Sequence, residues 1–307
     1  MDITTTHKVL MLGGSGFLGS HICERLNELG IKMTVMTRRA PAKSVKYLPF
    51  VDVIEGDPSK PEVLKRAMKG HTAVINLIAI LHGNEKGFEQ LHERLPATIA
   101  NVCSEMNIKR LIHISALGAE LSAPSMYLRS KARGEQALHS IAQTKGLNLT
   151  LLRPSVIFGE DDKFINVFAK LQKTFPFIPL ACADAAFQPV WVVDVAHAVA
   201  YALLHPQTGN KTFELVGPEV LSLKELVEFA GKVSNHNRPI FALPPFSSYL
   251  QALVMEKLPG PTLMSRDNLL SMRVPNVHTG KFPGLEELGI LDPQTLSAVF
   301  GVRQAKI

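Results

Sequence analysis

The sequence predicts an α/β fold: a doubly wound parallel sheet with a smaller, mostly helical C-terminal lobe. Three observations carry this. Short apolar runs recur through the first half, helix-period segments lie between them, and a glycine cluster, "GGSGFLG", joins the first run to the first helix. Runs of this length suit strands buried on both faces, and strands alternating with helices form parallel sheets through right-handed crossovers.

The strands are predicted at residues 9–12, 33–37, 51–54, 73–78, 111–115 and 149–152. Leu18, Ile22, Leu26 and Leu29 form one stripe and predict the first helix. Residues 62–68 follow Pro61, which suits a first helical position, and residues 126–144 form a third helix rich in Ala, Arg, Lys and Gln. Beyond about residue 153 prolines thicken and helices outnumber strands. There Asp194 is expected to N-cap "VAHAVAYALL", Ser222 and Glu225 to form a capping box, and Asp292-Pro293 to start a last helix. The predicted division is a core over residues 1–160 and a smaller lobe over 161–307, interleaved with the core through a strand and helix around 188–216.

Composition narrows the function. With 46% hydrophobic and 20% charged residues the chain is an ordinary globule. The net charge of +6 is scattered and gives no nucleic-acid-binding block, although weak attraction to anionic lipid stays open. Cys23, Cys103 and Cys182 lie far apart and read as reduced thiols, neither a disulfide framework nor a zinc site. "MDITTTHK" has neither a basic n-region nor an apolar h-region, and no run reaches the roughly 18 apolar residues of a membrane span. The expectation is a cytoplasmic protein, with a peripheral place at the inner face of a membrane left open.

The glycines carry the chemistry. Gly14, Gly16 and Gly19 satisfy GxGxxG, and Gly13, Gly16 and Gly19 the looser GxxGxxG, between a strand and a helix. Small residues let backbone approach a pyrophosphate, and the helix aims its free N–H groups at that charge, as in Rossmann folds. After the second strand stand Arg38 and Arg39 where an NAD-preferring fold would place an acid. An arginine pairs with a 2′-phosphate, so NADP(H) is the expected cofactor. Asp57, past the third strand, can accept from the adenine amino group or cap an Asp-Pro turn. One of the four tyrosines, Tyr127, has a lysine four residues on, Lys131, and both fall on one helix face after the fifth strand. A nearby ammonium would lower the phenol's pKa and make Tyr127 a proton donor or acceptor, while Lys131 could also bond the nicotinamide ribose.

These residues carry a family resemblance. "GGSGFLGS", "ISALGA", "YLRSKARGE", "LLRPSVIFGEDDKFINVFA" and "QPVWVVDVAHAV" together resemble the extended and atypical short-chain dehydrogenase/reductases. "NLIAILHG", "HISALGA" and "RPSVIFG" look like the branch containing the NADPH-binding alpha-subcomplex subunit nine of respiratory complex I and its bacterial relatives. The resemblance implies that Gly13, Ser15, Gly16, Phe17 and Leu18 line the pyrophosphate, Arg38 the 2′-phosphate and Asp57 the adenine. It places Leu77, Ile78 and Ala79 at the adenosine ribose, and Pro154, Ser155 and Val156 at the nicotinamide carboxamide. Active extended enzymes carry a Ser or Thr, often a pair, past the fifth strand. Here Ser115 is followed by Ala116 and Leu117, so the catalytic set of Ser115, Tyr127 and Lys131 is incomplete or displaced.

Two readings follow. One is an NADP(H)-holding protein with a structural or sensing role in a respiratory or quinone-linked assembly. The other is an NADPH-dependent reductase or epimerase acting on a carbonyl or nucleotide-sugar substrate through Tyr127 and Lys131. A DNA-binding redox sensor is third, for want of a basic reading element. His113, His197 and the run Glu160, Asp161, Asp162 read as packed or surface groups, so no metal is expected. Phe246, Leu250, Leu253, Val254 and Leu258 form a stripe expected to pack in the smaller lobe, with a substrate lid, a partner surface and a membrane-interface helix as alternatives.

Overall fold

The computed structural model describes residues 7–38, 44–257 and 264–302. A seven-stranded sheet runs through its centre, with every neighbouring pair parallel. Its strands are β1 (Lys8–Leu12), β2 (Lys32–Thr37), β3 (Val51–Glu55), β4 (Ala73–Asn76), β5 (Arg110–Ile114), β6 (Asn148–Pro154) and β11 (Lys211–Leu215). The spatial order is β11-β6-β5-β4-β1-β2-β3. Winding reverses between β1 and β4, and ligands of open α/β sheets bind in the crevice outside the strand ends at such a point.

The pleat sends alternate residues of β1 to opposite cores. Val9 and Met11 pack with Ile22, Cys23 and Leu26 of α1 (Phe17–Glu28) and with Val195, Val199 and Leu203 of α7 (Val192–Leu204). Leu10 and Leu12 face Leu64 of α2 (Pro61–Met68), Ile99 and Cys103 of α4 (Leu95–Glu105), and Leu138 of α5 (Met126–Lys145). All of these side chains are fully buried, and each such aliphatic contributes about 1.5–3 kcal/mol. Between α3 (Glu85–Phe88) and α4 the chain winds as one π-helical stretch, Glu89–Arg94.

A third core lies beside the C-terminal edge of the sheet. It joins α6 (Ile165–Thr174), α8 (Leu223–Ser234) and α11 (Leu296–Phe300) to the short strands β7 (Ile157–Phe158), β8 (Ile178–Leu180) and β9 (Ala186–Phe187). Paired strands β10 (Val190–Trp191), β12 (Leu221–Ser222) and β13 (Ile240–Ala242) complete that region, and α9 (Pro245–Met255) and α10 (Arg266–Ser271) lie outermost in sequence.

Four details differ from the sequence expectations. The fourth strand stops at Asn76 instead of residue 78, because the Asn76 side chain accepts the Ile78 N–H at 3.1 Å and turns the chain. Trp191, not Asp194, stands at the N-cap position of α7; the helix starts three residues earlier, and buried Asp194 accepts from the Gln294 N–H at 2.9 Å. That bond holds residue 294 outside the last helix, which begins after Thr295, whose hydroxyl accepts from Ala298 N at 3.1 Å. Asp292-Pro293 therefore precedes the helix instead of starting it. The Ser222–Glu225 capping box forms as expected.

The largest difference is α9. Its apolar stripe was expected inside, yet Phe246, Leu250 and Val254 are exposed, and Leu258 lies outside the described residues. The small residues Ser248 and Ala252 face inward instead. Ala252 packs with Ala181 and Met264, while Ser248 Oγ donates to Leu243 O and Gln251 Nε2 to Pro179 O. At 100° per residue, large side chains two positions away from these point outward.

Candidate cofactor and catalytic site

The glycine loop joins β1 to α1 with a division of labour. Gly13 has φ +89, where only glycine sits without strain. A Cβ at Gly19 would come within 2.4 Å of Gly13 O, so this glycine lets the helix lie on the loop. A Cβ at Gly16 would meet only Gly13 O, at 3.4 Å. Gly16 is also the N-cap of α1, with no side-chain cap and no acid in the first turn. Its side is open and flanked by first-turn N–H groups that no helical carbonyl can satisfy, which fits a pyrophosphate. The Phe17 side chain turns away toward Gly159 and His21, leaving its backbone for the ligand. Ser15 is exposed beside it, and Ser44 Oγ donates to its carbonyl.

Arg38 stands exposed just past β2, near enough to Asp57 to help lower that carboxyl's pKa. The chief cause of the lowering is Ser59, whose Oγ and N–H both donate to Asp57 Oδ1. Asp57 thus forms the local turn that sequence allowed as its second role. Arg39 lies outside the described residues. An acid that the sequence reading did not count, Glu55, is the register partner of Thr37.

Leu77, Ile78 and Ala79 follow β4 at the reversal point. Leu77 N–H donates to Leu12 O, and the Leu77–Ile78 backbone lies against Gly13. The Ile80 N–H, one residue further, donates to His92 Nε2 at 3.1 Å. That bond makes Nε2 the acceptor, so the proton sits on Nδ1, which reaches Ser130 Oγ at 2.8 Å. Ser130 Oγ in turn donates to Tyr127 O. His92 comes from the π-helical stretch and links the ribose-side loop to α5. Burial first, and the Lys131 ammonium second, hold its pKa down to about 3. Gly134 permits the contact, since a Cβ there would overlap His92 O.

Tyr127 and Lys131 share one face of α5. Burial pushes the phenol up to about 12, contrary to the lowering expected from a neighbouring ammonium. The Tyr127 ring is boxed by His92, 5.6 Å away, and Phe88, 6.1 Å away. Lys131, only 2% exposed, donates to Ile114 O at 2.8 Å and is pulled down to about 8 by burial, opposed by Glu135. An ammonium has three donors, so two remain for ribose hydroxyls. Ser115 follows β5 with its Oγ buried and without a hydrogen-bond partner among the described residues. An orphaned hydroxyl beside a lysine with spare donors fits an absent polar ligand.

A strap from the C-terminal region crosses this site. Asp267 of α10 accepts the Met126 and Tyr127 N–H groups, and Val274 and Tyr127 both pack on the cluster of Ala116, Ala123 and Leu128. Asn276 Oδ1 accepts from Ser155 Oγ at 2.6 Å and from Val156 N–H at 3.1 Å. Ser155 N–H donates to Leu215 O, and Pro154 O accepts from Leu117 N–H. The donors expected to meet a nicotinamide carboxamide are thus engaged within the chain. Sequence offered no signal for Asp267, Val274 or Asn276, which lie over a hundred residues from their partners.

The family model that matches is the NAD dependent epimerase/dehydratase family, over residues 9–216. The chain belongs to that family. Within it, the chain is 28% identical over 289 residues to mouse NADH dehydrogenase (ubiquinone) 1 alpha subcomplex subunit 9, covering 91% of this chain and 75% of the relative. The Arabidopsis thaliana subunit is 33% identical, with 71% and 56% covered. A ceramide reductase of Caulobacter vibrioides is 25% identical over 237 residues, covering 77% and 73%. Among solved structures, an epimerase from Methanothermobacter thermautotrophicus superposes with a TM-score of 0.75 at 14% identity, covering 98% of this chain and 92% of that one. The Thermus thermophilus UDP-glucose 4-epimerase complex with NAD gives 0.68 at 20% identity, with 92% and 99% covered. At these identities the two structures show the fold, and the family follows from the sequence match.

Proposed function

We propose that this member of the epimerase/dehydratase family holds NADP(H) and uses it in a structural or sensing role within a respiratory or quinone-linked assembly. It would sit peripherally at the inner face of a membrane; among the described residues no helix is long and apolar enough to cross one. The observation that carries the reading is the strap. Asp267 holds the start of α5 at Met126 and Tyr127, Val274 shares an apolar cluster with Tyr127, and Asn276 ties down Ser155 and Val156, where an enzyme of this plan would receive its substrate. The open side of Gly16, Arg38 past β2 and the spare donors of Lys131 support the cofactor. The complex I relatives supply the kind of assembly.

A second reading has its own support. The orphaned Ser115 hydroxyl, with Tyr127 and Lys131, is the donor set that a carbonyl reductase or epimerase would need, and one relative is a reductase. A bound nicotinamide would supply the hydride; Tyr127 would move the proton, and Lys131 would hold the ribose.

The deciding experiment denatures purified protein and identifies released nucleotide by mass, then presents the NADPH-loaded protein with quinones and carbonyls. Stoichiometric NADP(H) that is not oxidised is the expected result. Turnover that Tyr127→Phe abolishes would replace the structural reading with the enzymatic one. Release of NAD(H), or of no nucleotide, would overturn the cofactor assignment.

A further inference from the structure

The outward face of α9 belongs to a wider apolar surface. Phe246, on the first turn, is 80% exposed, and Leu250 and Val254 continue the ridge along the helix at half exposure. Beside it, β13 pairs with β8 and leaves Phe241 exposed, its ring 5.9 Å from that of exposed Phe177. Phe175, at the end of α6, is exposed as well. Surface aromatics scattered singly need no explanation, but a ridge of three exposed apolar side chains along one helix face, with the small residues turned inward, does.

Charge says what covers it. Residues 163–183 and 229–255, which build this surface, contain no Asp or Glu. They contribute Lys163, Lys170, Lys173, Lys232 and Arg238, with Lys257 following α9. Lys170, Lys173, Lys232, Arg238 and Lys257 are exposed. Of the four carboxylates that border these segments, Asp162 is buried, Glu228 pairs with Lys224 at 3.8 Å and Glu256 with Arg266 at 3.0 Å, and Asp184 is exposed. A second copy of the chain on this face would set these cations against their own images. An apolar ridge rimmed by cations, with aromatic side chains able to enter the headgroup boundary, is complementary to an anionic bilayer.

We propose that the face formed by Phe246, Leu250, Val254, Phe241 and Phe177 docks this protein on an anionic lipid surface, with Lys170, Lys173 and Arg238 against the headgroups. This deepens the peripheral placement proposed above and does not depend on the cofactor. α9 lies in the interface plane, its ridge in the acyl boundary. Arg266, at the start of α10, bonds Glu256 at the C-cap of α9, and Asp267 of α10 accepts the first N–H groups of α5, so the docking face is a short step from the start of α5.

The test uses the full chain with sedimenting vesicles of phosphatidylcholine alone or mixed equally with phosphatidylglycerol. Binding to the anionic vesicles, weaker in high salt, is expected. The doubly substituted Phe246→Asp/Leu250→Asp protein should lose about tenfold or more of that binding, and Lys170→Glu/Lys173→Glu should lose most of it. Both substitutions fall on exposed positions, so melting temperatures should match the parent; the lysine pair keeps the test decisive if the first variant misfolds. No vesicle binding by the parent, or binding unchanged in the variants, overturns the proposal. So does a concentration-dependent dimer that Phe246→Asp/Leu250→Asp dissolves, because a second copy would then be the occupant. Nucleotide content is measured on the same preparation. Vesicle binding lost with NADP(H) retained sinks docking alone, and the converse sinks the cofactor reading alone.

Discussion

The carboxylate of Asp267 accepts the Tyr127 N–H at 3.0 Å, and its other oxygen accepts that of Met126 at 2.6 Å. Two N–H groups that the start of α5 leaves unsatisfied are thus met by one anion from 140 residues away, against the positive end of the helix. Asp267→Ala should cost about 1–2 kcal/mol, read as a lower urea midpoint with an unchanged slope. The same substitution loosens the strap beside Tyr127. Under the structural reading it should not create NADPH oxidation; under the enzymatic reading it should raise access and rate. Rate and stability together separate the two.

His92 makes stability depend on pH. Its folded pKa of about 3 lies below the ordinary 6.5, chiefly through burial. Above pH 6.5 the imidazole is neutral in both states, and the full stability is present. As pH falls from 6.5 toward 3, the unfolded chain takes up a proton that the native chain refuses, so stability falls by up to about 1.4 kcal/mol per pH unit. His92→Leu should remove this contribution to the slope and lower stability at neutral pH by about 1–3 kcal/mol, because the Ile80 N–H is left orphaned, while Ser130 keeps its bond to Tyr127 O. Urea unfolding of both proteins across the acid range checks both statements. His113, whose pKa is also held well below the usual value by burial, leaves a residual slope in the variant.

Ser115 behaves in the opposite way. Its hydroxyl is buried with no partner among the described residues, so it carries a desolvation cost with no return. Ser115→Ala should leave the nucleotide-free protein as stable as the parent or up to about 1–3 kcal/mol more stable. If the hydroxyl serves the cofactor, the same substitution weakens dinucleotide binding. A variant that melts higher empty and lower when loaded is the expected result. A lower melting temperature in the empty protein would show that Ser115 has a structural bond after all.

Arg38 tests the choice of dinucleotide. Replacing it with Ala should lower affinity for NADPH by about tenfold to a hundredfold, the worth of a charge-assisted bond to the 2′-phosphate, and leave NADH nearly unaffected. Titration of stripped protein with each nucleotide reads the ratio. An equal loss for both would mean that Arg38 is a surface charge. A loss for NADH alone would move the assignment toward Glu55, which faces Thr37 across the strand pair.

Local pattern explains which parts of this molecule were readable. Buried strands such as Leu111 to Ile114 announce themselves as apolar runs, and the Ser222–Glu225 box needs only residues three apart. The glycine loop is equally local. What failed was set by distant partners. Asp194 does not cap α7 and is engaged by Gln294 instead, and α9 turns its apolar stripe outward while Ala252 packs with Ala181 and Met264 and Ser248 bonds Leu243 O. The lowered phenol expected from Tyr127 and Lys131 left out the desolvation that raises it. His92 was invisible as a link because the π-helical turn shifts its register on the helix, and Asn276 because its partners are 120 residues away.

The glycine loop separates folding from binding within one motif. Gly19 lies so close to Gly13 O and Gly14 that a methyl group cannot be placed without moving backbone. Gly19→Ala should therefore destabilise the apo protein by several kcal/mol, on the scale of an overpacked core, and should be seen as loss of soluble protein or a much lower melting temperature. Gly16 has an ordinary φ of −81 and open space where a Cβ would stand, its only near neighbour being Gly13 O at 3.4 Å. Gly16→Ala should fold with nearly the parent's stability, since an N-cap glycine and alanine differ by about 1 kcal/mol or less. Its methyl would enter the space against the first turn of α1 where a pyrophosphate would lie, so nucleotide content after purification should fall sharply. A Gly16→Ala protein that keeps its nucleotide would put the pyrophosphate elsewhere and take the argument for the loop with it.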